Sequence, residues 1–110
     1  MPLFISQGRF TQHAVKGMLA KPEDRVEAVS QLITKAGGKL LGYYFTFGDY
    51  DFLVVSEGTA ETAAAAVIVA AAGGGVTDLK TTLAMTSAEM KSAFARAGTL
   101  AGSFRSAGQQ

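Results

Sequence analysis

A chain of 110 residues, 48% hydrophobic and 17% charged, suits one domain with a single core that needs no covalent staple. The absence of cysteine excludes disulfides, thiolate metal sites and cysteine nucleophiles. The net charge of +1 is evenly spread, with six basic and six acidic residues over 1–58 and four and three over 59–110, so no cationic face gathers for a nucleic acid.

Residues 3–10 (LFISQGRF) read as a first strand, apolar on one parity and mixed on the other. Thr11 stands where a helix N-cap belongs, and Ala14, Val15, Met18 and Leu19 form one helical stripe after it. Pro22 interrupts that helix. With Glu23 and Asp24 behind it, it predicts a kink or a second segment with proline in the first turn. The stripe of that segment is Val26, Val29, Leu32, Ile33 and Ala36, closed by Gly37-Gly38.

A second strand over 39–47 is rich in Leu, Tyr and Phe. A third over 51–56 is apolar on both parities, as a centrally placed strand should be. Thr59 caps a helix running to about residue 72, so apolar that it should pack over much of its circumference. Gly73-Gly74-Gly75 follows that helix instead of preceding one, so it is a turn and not a phosphate cradle. Residues 76–85 form the last strand, and Thr86 or Ser87 caps a short helix bearing Met90, Phe94 and Ala97. Domain 1–97 is expected to end there, with 98–110 a flexible Gly/Ser-rich tail. The longest apolar run, 63–72, is half of what a membrane span needs, about twenty residues. With no basic and apolar leader at the start, a cytoplasmic protein is expected, without membrane partners.

The order β-α-β-β-α-β plus a C-terminal helix predicts an α+β, ferredoxin-like sandwich. Two helices then cover one face of a four-stranded antiparallel sheet. The other face has no layer of its own, yet strands two and three leave Tyr, Phe and Leu outside whichever parity turns inward. Packing of two such faces in a homo-oligomer, dimeric at least, is the expected solution.

The candidate site is the connection Gly48-Asp49-Tyr50-Asp51. As a hairpin turn it lets Gly48 take a positive φ and lets either aspartate accept backbone N–H groups. The same four residues can present polar groups at the mouth of an inter-sheet cavity, with Asp51 as a base. His13, the only histidine, could pair with Asp49 or Asp51 as acid and base. Zinc normally takes three or four ligands, so one chain holds too few and no metal is expected. Arg9 is a cation for an anionic ligand or a solvated strand-edge residue. Tyr43 and Tyr44 point to opposite faces, and the outward one offers its hydroxyl to a ligand; the sequence leaves open which. No catalytic triad, Walker sequence or dinucleotide fingerprint occurs, and no cofactor is expected.

The opening MPLFISQGRFTQ and the block GGKLLGYYFTFGDYDF resemble the GYD-domain family of small bacterial proteins. Gly48, Tyr50 and Asp51 match its Gly-x-Tyr-Asp signature, and the resemblance covers roughly residues 1–95. It implies kinship with dimeric α+β barrel proteins, which join sheet to sheet and include small-molecule binders and cofactor-independent enzymes. No general activity comes with it.

Three functions fit. The first is an accessory or regulatory homo-oligomer that binds a small, partly apolar molecule between the sheet and the Gly48–Asp51 hairpin. The second is a cofactor-independent enzyme in which Asp51 or His13 moves a proton and Tyr43 or Tyr44 orients the substrate. The third is a purely structural assembly module.

Overall fold

The computed structural model describes residues 1–108. In chain order it contains β1 (Leu3–Phe10), α1 (Gln12–Ala20), α2 (Val26–Ala36), β2 (Lys39–Phe45), β3 (Phe52–Glu57), α3 (Ala60–Ala72), β4 (Val76–Ala84) and α4 (Ser87–Leu100), then a 3-10 turn at Ala101–Ser103. The strands form one antiparallel sheet in the order β2-β3-β1-β4, the ferredoxin-like arrangement expected from the element order.

Threonine starts three of the helices. Thr11 accepts from the amide of Ala14, Thr59 from that of Thr62, and Thr86 from that of Glu89. α2 begins differently from the expectation. Pro22 lies ahead of the helix instead of in its first turn, and Arg25 at the N-cap has no acceptor to offer. Asp24 supplies one, its Oδ1 accepting from Val26 N at 3.0 Å. The proline therefore separates α1 from α2. Gly37 closes α2 in the left-handed conformation, φ 102°.

Strand pairing fixes which residues look inward. Gly8 lies opposite Phe52, Ser6 opposite Val54 and Phe4 opposite Ser56. Phe4, Phe52 and Val54 are buried beneath the helices, and Ile33 of α2 packs on the latter two. The intervening pairs, Ile5 with Val55 and Gln7 with Leu53, look outward. A bulge between Leu40 and Gly42 shifts the parity of β2. Both Leu40 and Tyr43 consequently pack toward the core, while Tyr44 pairs with Leu53 on the open side and stays 61% exposed. Phe45 also turns inward, its ring 5.2 Å from Phe10 and 5.6 Å from Tyr43. Phe47 falls in the hairpin loop and is fully exposed. The open face is thus aliphatic with one tyrosine, not the aromatic surface that strand two suggested.

α3 departs from expectation as well. None of its residues is buried, and Ile68 and Val69 are exposed. Its inward positions are largely alanines, which stop short of the sheet, so an all-apolar sequence has not produced an all-buried helix. α4 runs three residues past the expected boundary at 97, through Gly98 to Leu100. Of the expected tail, residues 109 and 110 lie outside the described residues. α4 also leaves the sandwich: the molecule measures 62 × 30 × 22 Å with a radius of gyration of 18.1 Å, against about 13 Å for a compact chain of this length.

Candidate functional site

The hairpin joining β2 to β3 is closed from within. Thr46 N donates to the Asp51 carbonyl at 2.8 Å, and the Thr46 hydroxyl donates to the Tyr50 carbonyl at 2.6 Å. Asp51 then ties the hairpin to the neighbouring strand. Its amide donates to the Gly8 carbonyl at 2.8 Å, and its Oδ2 accepts from Phe10 N at 2.9 Å. The carboxylate is engaged with β1 backbone, a clamp that holds Arg9 at the mouth of the hairpin. Gly48 does not use the freedom that glycine offers: its φ is not positive, and an added Cβ would meet nothing within 4 Å. The expected turn forms without the left-handed glycine anticipated for it.

Arg9, Asp49 and Tyr50 converge with a fourth residue, Asp78, around an open cleft at the rim of the uncovered sheet face. Asp78 belongs to the bulge that interrupts pairing between β1 and β4, and it has a φ of 54°. A left-handed non-glycine residue is uncommon, and aspartate is among those that tolerate it. Bulges re-aim side chains, and this one brings a second carboxylate beside Asp49 and Arg9. One guanidinium, one phenol and two carboxylates give the cleft both donors and acceptors. In the alternating sequence of 76–85 Asp78 shares a parity with Lys80 and Thr82 and reads as one more solvated residue, because a bulge inside such a strand leaves no local signal.

The remaining candidates lie elsewhere. His13 is exposed on α1, and among the described residues no hydrogen bond or ion pair joins it to Asp49 or Asp51. Tyr44 stands on the open face, and Tyr43 on the opposite side of the same strand. Among the described residues, no three His, Asp or Glu side chains gather as metal ligands. No described helix is long and apolar enough to cross a membrane.

The helix side of the sheet holds a separate apolar cavity of about 330 Å³ between α2, α3 and the strands. Phe4, Phe10, Phe52, Ile33 and Leu79 supply its apolar walls, and Tyr43 and Arg25 are polar members of its lining. Burial pushes the Tyr43 phenol above its ordinary value, while the nearby Arg25 charge opposes part of that rise. Sequence reading missed this cavity, although its cause is visible in the alanines of α3.

Residues 4–94 match the family model of the GYD domain. No curated protein matches the chain in sequence. Among solved structures, the crystal structure of TTHA0845 from Thermus thermophilus is similar, at 19% identity and a TM-score of 0.50 over 78% of this chain and 95% of that one. FFRP-DM1 aligns at 15% identity and a TM-score of 0.47 over 77% of this chain and 100% of its own. The first of these likenesses speaks to the fold alone, and the second carries no argument. The family match, by contrast, runs from the first strand into the last helix and includes the hairpin that bears Gly48, Tyr50 and Asp51: the chain belongs to the GYD-domain family.

Proposed function

We propose that the protein is an accessory or regulatory homodimer that joins its open sheet faces and holds a small, partly apolar molecule at the hairpin rim. The observation that carries this reading is the uncovered face itself. Leu3, Ile5, Leu53, Val55 and Tyr44 form its apolar centre across β1, β3 and β2. The cleft of Arg9, Asp49, Tyr50 and Asp78 opens at its edge. A two-fold contact places the apolar centres of both copies against each other. A ligand at the edge then meets apolar sheet on one side and a mixed set of donors and acceptors on the other, the usual composition of a small-molecule site.

Native mass spectrometry of protein purified from its own host tests both parts. The expected spectrum is a dimer carrying a retained small molecule, and Arg9→Ala or Asp49→Asn loses the adduct while keeping the dimer. A monomer contradicts the assembly. An adduct retained unchanged by both variants contradicts the hairpin rim as its site.

A further inference from the structure

The cavity between the helices and the sheet is distinct from the hairpin cleft, since none of Arg9, Asp49, Tyr50 and Asp78 lines it. Its size follows from short side chains on both walls. α3 presents Ala63, Ala66 and Ala70, and the central strand β1 contributes Ser6. Close-packed interiors tolerate few voids larger than a water molecule, and 330 Å³ is about twice the engineered apolar cavity that accepts benzene in another protein, about 150 Å³. The cavity is partly open to solvent, so a ligand has a way in, and its walls are mostly hydrocarbon, which water wets poorly.

The polar groups of the lining are few. Tyr43 lines the cavity, and no hydrogen bond joins its hydroxyl to another group among the described residues, which leaves it able to donate to a ligand there. Arg25 sits close enough for its charge to act on that phenol, more strongly than the opposing charge of Asp24 beside it. The partner of Arg25 is Glu23 at 2.9 Å, in an exposed ion pair of little strength. The cavity thus has apolar walls and two polar ends: Ser56, Glu57 and Thr62 where β2 begins, and, further along the β2–β3 ladder, Tyr43 and Arg25, a neutral donor and a cation close together. A ligand matching it has a hydrocarbon body and a single anionic end.

We infer that this cavity is a binding site for an amphipathic monocarboxylate, its tail between α3 and the sheet and its carboxylate against Tyr43 and Arg25. An apolar cavity of about 150 Å³ takes the six carbons of benzene, so 330 Å³ takes roughly twice as many non-hydrogen atoms. A molecule of that order of non-hydrogen atoms fills it, and decanoate is a suitable probe. The inference stands independently of the hairpin-rim reading.

The test titrates the full chain, with carbon-13 in its alanine methyls, against decanoate, decanol and acetate. Decanoate is expected to shift the Ala63 and Ala66 methyl signals saturably, decanol to do so more weakly, and acetate not at all. Arg25→Gln should weaken decanoate about tenfold, as expected for loss of one hydrogen bond to a charged group, and leave decanol unchanged. Ala66→Leu fills the space and should abolish decanoate binding without lowering the melting temperature. Ala70→Val gives the same reading if that variant fails to fold. The inference is overturned if decanoate leaves both methyls unmoved or binds undiminished when the space is filled. Equal binding of decanol and decanoate, indifferent to Arg25, overturns the assignment of the anionic end. A contact between the Phe94 ring and the Ala66 methyl in the protein without added probe also overturns it, because α4 of a second copy then occupies the space.

Discussion

At the residue scale, the Gly-Asp-Tyr-Asp segment divides its labour. Asp51 is a clamp: its carboxylate receives the Phe10 amide, so Asp51→Ala leaves a half-buried donor unpaired and should cost about 1–3 kcal/mol in a denaturant melt. Asp51→Asn keeps an acceptor and should cost less. Gly48 carries no conformational burden, and Gly48→Ala should change stability by no more than about 0.5 kcal/mol. A loss of several kcal/mol there would mean that the loop differs from the one described. Tyr43 gives a pH signature. Its folded-state value is raised above the ordinary 10.0, so folding favours the neutral phenol. That contribution is intact below pH 10 and is lost as pH rises through the raised value. Wild-type protein should therefore lose thermal stability more steeply above pH 10 than Tyr43→Phe does. Much of this scale was legible in advance. The turn and the threonine caps depend on near neighbours in the chain. The engagement of Asp51 with β1 and the placing of Asp78 beside Arg9 depend on strands far away in the chain, and neither could be read.

At the element scale, bulges and small side chains decided what the strand and helix patterns left open. β2 is apolar on both parities, so nothing local favoured turning Tyr43 inward instead of Tyr44; the bulge near Leu41 made the choice. α3 is apolar all round, and its amphipathic direction was unreadable for the same reason. α4 offers the cleanest local test. Its N-terminus holds a reciprocal capping box, Thr86 Oγ1 accepting from Glu89 N and Glu89 Oε1 accepting from Thr86 N. Thr86→Ala should weaken this helix by about 1 kcal/mol, seen as faster amide exchange over residues 87–100. The melting temperature of the sandwich should hardly move, because α4 stands apart from it. The hydrogen bonds from Thr86 hold the Glu89 carboxyl below its usual range. The sign follows: its contribution is present above the unfolded value and is lost as pH falls through the lowered one, so α4 should fray in acid before the sheet melts.

At the scale of the whole molecule, two observations point outward from one chain. The sheet has a layer on one face only, and its other face is apolar at the centre and polar at the β4 edge, where Lys80 and Thr82 lie. The chain is far longer than a compact body of 110 residues because α4 projects with Met90, Phe94 and Leu100 exposed. The uncovered face was foreseeable, since a four-stranded sheet with two crossover helices always leaves one. The projection of α4 was not, because a capped amphipathic helix reads alike whether it packs at home or away. Light scattering at micromolar concentration, on wild type and on Leu53→Arg, tests the central claim most directly. A mass near twice 11.4 kDa for the wild type, falling to 11.4 kDa in a folded Leu53→Arg, is the predicted result. A wild-type mass of 11.4 kDa, or a dimer indifferent to the arginine, contradicts it.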